Sequence, residues 1–417
     1  MKASHRVLQR GAFACLVLIT FLMAIGNTGL ISIMPTIGRT IGITDMLVAS
    51  VFSLSALVWA IASPFWAGVA DRHRRKPLIQ LGMMGFIASM LGCSLAVHGG
   101  LIHWLTPLAT FIAFFLCRAT YGIFGSAAAT ATQVYIADHT DRKERVQTLS
   151  ALAGALSLGT IFGPAIAPFL ILPPFGLLGP MLSFALVALV ALALSVVLIP
   201  KESPVVVPAP QMSKGPPPSG RFRALMLDEA IAPFLLYGAV LASVQAINIY
   251  SIGFVVIDRA HHGLREGQML IGLVMGCGAV AGLIGQWGLV RWLSLMPSQM
   301  VRWGAILALA GNALMMIDGG ITLLAMGFSV ASLGYGLGRP GFSAGASIAG
   351  RTEQQAGIAA AVSSIAGGSI VVPPIIALAL YRQWPLGPFA IAIVALLAVC
   401  AYALRHPALG RKPVTVS

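Results

Sequence analysis

The sequence predicts an all-α polytopic membrane protein of twelve transmembrane helices arranged as two six-helix bundles. Three observations carry that expectation. Of 417 residues, 58% are hydrophobic and 9% charged, whereas a soluble globular domain carries roughly 25% charged residues. Mean hydropathy is +0.91. Apolar runs of about 20 residues, the length a helix needs to cross a bilayer core, recur from end to end, and the basic residues collect in alternate loops. This composition excludes an ordinary soluble enzyme, a disordered chain and a disulfide scaffold. The net charge of +14 would by itself raise nucleic acid as a partner, so the placement of the charges decides the matter.

Taken in order, helices are expected at roughly 12–35, 47–70, 77–97, 104–134, 148–171, 176–199, 230–257, 268–291, 299–317, 321–348, 356–381 and 386–404. Lys2, Arg6 and Arg10 before the first apolar run resemble a secretory signal. The run continues to Met34 without a small-residue cleavage site, so it reads as a retained helix. Twenty of the 26 basic residues fall at the termini and in the even-numbered loops, including Arg72, Arg74, Arg75, Lys76, Arg142, Lys143 and Arg145. Arg39, Arg259, Arg265 and Arg382 lie on the other side, and Arg118 and Arg339 fall inside spans. By the positive-inside rule both termini are cytoplasmic. The basic balance thus marks a membrane face, and no nucleic-acid partner is expected. The five cysteines, Cys15, Cys93, Cys117, Cys277 and Cys400, stand apart in apolar runs and read as small hydrophobes.

A polar stretch at 200–229 divides the spans six and six, giving an N-terminal bundle (1–199), a linker, and a C-terminal bundle (230–417). Seven prolines between Pro200 and Pro218 make the linker an extended cytoplasmic segment. The halves repeat each other. Asn27 precedes Asn248 by 221 residues, Arg118 precedes Arg339 by the same 221, and Pro77 precedes Pro297 by 220. A shared offset signals an internal duplication, and parallel six-helix repeats are a transporter plan with the site between them at mid-membrane.

The loop after the second helix reads Ala67-Gly68-Val69-Ala70-Asp71-Arg72-His73-Arg74-Arg75-Lys76-Pro77. It resembles the signature of the major facilitator superfamily, G-x-L-A-D-R-x-G-R-R/K. Asp71, Arg72, Arg75 and Lys76 match; Ala67 and Arg74 stand where the family has glycine. The resemblance implies a cytoplasmic latch, a helix-end carboxylate paired with cations across the seam between halves. The alternative is plain positive-inside decoration. In helix 4, Leu116-Cys117-Arg118-Ala119-Thr120-Tyr121-Gly122 resembles the family's second motif. An arginine at mid-helix costs about 2.5–3.5 kcal/mol even on the lenient insertion scale, so Arg118 should face a watery cavity or a partner, with hydrogen bonding to carbonyls as the other reading. Next come Asp138 and Arg145 around the helix 4–5 loop, then Gly154, Gly159 and Gly163-Pro164 in helix 5. This combination resembles the twelve-helix drug:proton antiporters, including tetracycline and multidrug efflux pumps, where the helix 5 motif goes with export. Ala167-Pro168 replaces that motif's closing glycine pair. Small residues four apart permit close helix contact, so generic packing is the competing account.

All twelve acidic residues fall in loops or near helix ends, and Met23 stands where many antiporter relatives carry a carboxylate. The proton carrier is therefore unassigned, with Asp45, Asp71, Asp258 and Asp318 as weak candidates. The resemblance places helices 1, 4, 7 and 10 around the cavity, and those helices carry Arg118, Arg339, Asn27, Gln245, Asn248 and Tyr250. Two guanidiniums favour carboxylates or phosphates, and an anion leaves down the membrane potential at about 2.3 kcal/mol per charge per 100 mV. The expected function is secondary active export of small amphiphilic or anionic organic molecules, such as drugs or siderophore-like metabolites, with protons as possible co-substrates. The expected location is a bacterial inner membrane. The rivals are an uptake symporter or facilitator of a metabolite and, from another class, an intramembrane enzyme or scaffold. No phosphate-cradling G-x-x-x-x-G-K-[ST] occurs, so ATP is not the expected driver. No metal or cofactor is expected, His261-His262 read as solvated loop residues, and a monomer is the expected state.

Overall fold

The computed structural model of the chain describes residues 8–140, 142–200, 224–260, 264–351 and 354–406. The linker residues 201–223, the His261-His262 pair and the basic residues Lys2, Arg6, Arg411 and Lys412 lie outside them. All regular structure described is helical. The chain divides into two compact units, Met1–Pro210 and Gln211–Ser417.

The first unit holds α1 (Arg10–Ile41), α2 (Asp45–Arg72), α3 (Arg75–Leu101), α4 (Pro107–His139), α5 (Arg142–Ile166) and α6 (Gly179–Leu198). Their ends follow local chemistry. Gly42 takes φ 88° and returns its N–H to the Gly38 carbonyl, closing α1 in a left-handed cap that a side chain would strain. Thr106 accepts the Ala109 N–H at 3.2 Å while Pro107 opens α4. Pro164 withdraws a backbone donor near the end of α5, and the chain passes into a 3₁₀ turn, Ala167–Leu170. Within this unit α3 packs on α4, α1 on α5 and α2 on α4.

The second unit holds α7 (Ala232–Ala260), α8 (Leu264–Leu283), α9 (Pro297–Met316), α10 (Gly320–Ala349), α11 (Gln355–Gly368), α12 (Pro373–Gln383) and α13 (Gly387–Arg405). A π-helical stretch, Ile284–Leu289, and a short α-helical turn, Val290–Trp292, prolong α8. The single helix expected at 356–381 is interrupted between α11 and α12. Gly367-Gly368 contribute no packing side chains there, and the Pro373-Pro374 pair cannot donate to carbonyls four residues back. The tightest pairing is α9 against α10. A Cβ on Gly311 would lie 2.5 Å from the Gly327 carbonyl, so only glycine lets these backbones meet.

Eleven helices among the described residues are long and apolar enough to cross a membrane. The element expected at 299–317 forms as α9, whose 20 residues span about 30 Å at 1.5 Å per residue. Gln299, Arg302 and Asn312 dilute its apolar character, which keeps it out of those eleven.

Candidate functional site

In the first unit the residue that defines the site is Arg118. It lies twelve residues into α4, is 1% exposed, and donates from Nη2 to Asn27 Oδ1 on α1. Its guanidinium stands 5.1 Å from the Tyr121 ring centre and 5.8 Å from that of Phe52. These are within the range of cation–π attraction. Trp59 and Phe86 flank Tyr121 at ring distances of 5.3 and 5.4 Å, and Ser55 Oγ donates to the Arg118 carbonyl at 3.3 Å. Arg118 Nε and Nη1 are buried without an acceptor among the described residues. A permanent cation thus sits in an aromatic surround. Its one side-chain hydrogen bond goes to a neutral amide, and two nitrogens remain able to donate. An unmet charged donor is costly in a low-dielectric interior. The arrangement chemically suits an incoming anion. Asn27 was expected in the site, whereas Phe52 was not; an aromatic in an apolar run carries no sequence signal of its neighbours.

The remaining first-half candidates divide. Arg75 is buried and pairs through Nε with Asp138 Oδ2 at 3.0 Å; its Nη1 donates to the His73 carbonyl at 2.6 Å. Lys76 Nζ donates to the carbonyl of Val196 at 2.7 Å and to that of Ile199 at the C-terminal end of α6, where a cation suits the helix dipole. Two of the three matching cations of the loop motif, Arg75 and Lys76, therefore bind groups of their own unit, a role the latch expectation did not include. Arg72 is exposed, and the Asp71 side chain lies outside the described residues. Arg145 donates to the carbonyls of Ala137 and Thr140, closing the α4–α5 connection.

In α5, Gly159 and Gly163 press against α1: a Cβ on Gly163 would lie 2.5 Å from the Ile25 carbonyl and 2.9 Å from Gly29 N. Pro164 is buried beside them. Gly154 faces open space, so this member of the expected motif does not share the contact.

The second unit does not mirror the first. Arg339 and Gln245 are half-buried, and Tyr250 is buried. Asn248, expected beside the cavity with Arg339, is fully buried and donates from Nδ2 to Asn312 Oδ1 at 3.0 Å and to the Tyr335 hydroxyl at 2.7 Å. Asn312 Nδ2 donates to the Ala308 carbonyl at 2.8 Å and to the Tyr335 hydroxyl at 3.0 Å. The Ala308 carbonyl fixes which end of the Asn312 amide is nitrogen, and that in turn fixes Asn248. Asn248 is therefore a hydrogen-bonding hub joining α7, α9 and α10. Asn312 and Tyr335 were missed by the sequence reading, although a mid-span asparagine was the available signal.

Of the carboxylates weighed as proton carriers, Asp45 pairs with Arg39 at 3.2 Å, Asp258 accepts from the Tyr381 hydroxyl, and Asp318 is exposed. Among the described residues no His, Cys, Asp and Glu group could hold a metal ion.

The model of the Major Facilitator Superfamily matches residues 16–347. Multidrug resistance protein 2 of Bacillus subtilis (strain 168) is 28% identical over 195 residues, 47% of this chain and 45% of that protein. The class B tetracycline resistance protein of Escherichia coli is 32% identical over 155 residues, 36% of this chain and 35% of its own. The match to this chain spans less than half the length of each of these two relatives. Among solved structures, a bacterial homologue of the human lysosomal transporter Spinster superposes with a TM-score of 0.72 over 97% of this chain and 98% of its own at 14% identity. The human organic anion transporter MFSD10 gives 0.61 over 94% and 99% at 16% identity. At such identities these likenesses speak for the fold alone. Together with helices of membrane-spanning length, the family match makes the chain an integral membrane member of the Major Facilitator Superfamily, a family of transporters and not of enzymes.

Proposed function

We propose that this transporter exports small anionic or amphiphilic organic molecules from the cytoplasm, using a proton gradient or the membrane potential. The observation that carries the substrate class is Arg118. Its buried guanidinium, ringed by Phe52 and Tyr121, has a neutral partner in Asn27 and leaves Nε and Nη1 to be met. A carboxylate, sulfonate or phosphate supplies the acceptors, and an attached ring or aliphatic group is matched by the aromatic surround. Arg339, Gln245 and Tyr250 are proposed as substrate contacts contributed by the second unit, with alternating access as the transport cycle.

Export is supported by the drug-resistance names of the two sequence relatives and by the Gly159, Gly163, Pro164 stripe of α5. The proposed setting is a bacterial cytoplasmic membrane with both termini inside, supported by the loop distribution of lysine and arginine. Arg72 with Asp71 is the part of the loop motif proposed as a latch. The test uses everted membrane vesicles with an imposed pH or potential gradient, offered carboxyfluorescein as an anionic probe and rhodamine 6G as a cationic one. Gradient-dependent accumulation of carboxyfluorescein that Arg118→Ala abolishes is the expected result. Accumulation of the cationic dye alone overturns the substrate class, and movement in right-side-out vesicles alone overturns the direction.

A further inference from the structure

The loop joining α8 to α9 is the second-half counterpart of the motif loop between α2 and α3, with Pro297 standing for Pro77. In the first unit that loop's two buried cations are met internally, Arg75 by Asp138 and Lys76 by carbonyls of Val196 and Ile199. The second-half copy has no acid between Val290 and Val301. Arg302, on the second turn of α9, has a buried Nε with no partner among the described residues.

Its direction follows from helix geometry. Gly304 and Gly311 face α10, and at about 100° per residue Arg302 points some 160° away from Gly304. The exposed Ile306 lies one turn beyond Arg302 on the same face, and the exposed Trp303 adjoins it; the exposed Trp292 ends the α8 extension before the loop. Spans nine to twelve are α9, α10, α11 with α12, and α13. Four crossings return the chain to the membrane face where α9 began. At that face the last turns of α13, which packs on α9, carry an open hollow of about 370 Å³ along one side of the helix, lined by Ala398, Ala401, Tyr402, Arg405 and His406. Arg405 is exposed there. The cation of α9, the cation, phenol and imidazole of α13, and the exposed indoles thus lie toward one end of the second unit.

We propose that this end of the second unit is a binding site for the headgroup of an anionic phospholipid. The phosphodiester would accept from Arg302 and Arg405, and the acyl chains would run down the apolar face of α9 past Ile306. Charge complementarity argues for it, since basic side chains clustered at a membrane face attract anionic headgroups. Tryptophan and tyrosine settle at headgroup level.

The test is native mass spectrometry of the full chain in dodecyl maltoside, titrated with dioleoyl phosphatidylglycerol or with dioleoyl phosphatidylcholine. The expected result is preferential retention of phosphatidylglycerol, weakened about tenfold by Arg302→Gln or by Arg405→Gln, as loss of one charge-assisted contact implies. Arg302→Lys, which keeps the charge but loses the fork, should fall between, and serves if the glutamine variant does not fold. Arg10→Gln, an exposed cation of the first unit, should leave retention within about twofold of the parent. Equal retention of the two lipids overturns the site, as it would if the chain's own terminal residues filled the hollow. An equal loss in Arg10→Gln overturns it too, because general charge attraction then suffices. Release of phosphatidylglycerol by millimolar inorganic phosphate overturns the lipid assignment in favour of a free anion. None of these readouts depends on the transported substrate.

Discussion

Asn27→Asp offers a near-isosteric way to ask whether Arg118 is the counter-ion of the substrate. The side chain keeps its shape and its hydrogen bond to Nη2, but the neutral acceptor becomes a carboxylate. An anion about 4 Å from the guanidinium gains about 4 kcal/mol at an effective dielectric of 20. A new carboxylate some 7 Å from that anion opposes it by about 2.4 kcal/mol on the same scale. Net attraction then falls by more than half, and anion affinity should drop by about fiftyfold. Acidification that protonates the new carboxylate restores the positive site, so transport should recover as pH falls. Asn27→Leu removes the hydrogen bond without adding charge and should weaken transport about tenfold at most, with no recovery in acid. The assay is initial-rate carboxyfluorescein uptake into everted vesicles at several probe concentrations and pH values. If Asn27→Asp transports the anion like the parent across that range, the guanidinium is not the substrate's counter-ion and the reasoning fails.

Three stability predictions use thermal unfolding of the detergent-solubilised protein. Gly163→Ala should destabilise by about 1–3 kcal/mol through overpacking against the α1 backbone, whereas Gly154→Ala, facing open space, should be neutral or slightly stabilising; equal effects would refute the α1–α5 contact. Asn312→Leu should cost about 1–3 kcal/mol by removing one of the two acceptors of the buried Asn248 amide, and Asn248→Leu added to it should cost less than the sum, the coupling expected within one network. Asp138→Asn removes the charge that meets buried Arg75 and should cost about 1–3 kcal/mol, with loss of most of that penalty in an Arg75→Leu background.

Much of the fold could be read in the sequence because a bilayer imposes a strong local rule. Every crossing must satisfy its backbone internally and present apolar side chains, so length and hydropathy alone locate a helix. That rule fails where local chemistry competes. The eleventh span contains Gly367-Gly368 and Pro373-Pro374, yet its average hydropathy hides the break between α11 and α12. In the candidate site, Arg118 announced itself because a mid-membrane charge needs a partner, and Asn27 could be suspected on the same ground. Phe52 could not, since in an apolar run it resembles every residue facing lipid.

The paired positions of the two halves show most clearly where the two levels part. The sequence by itself determined membrane residence, the approximate placement of most helices, the asymmetry of basic loops and the paired positions Asn27/Asn248 and Arg118/Arg339, all set by composition and order along the chain. Partnership was decided only in three dimensions. Asn27 meets Arg118, while Asn248 meets Asn312 and Tyr335 on α9 and α10. Arg75 finds a carboxylate 63 residues away in the chain, Asp138; no counterpart acid lies in the loop before Arg302. Hydrogen bonds and ion pairs act over about 3 Å, so a side chain's role depends on helix rotation and close approach, which glycine contacts such as Gly163 on α1 and Gly311 on α10 set.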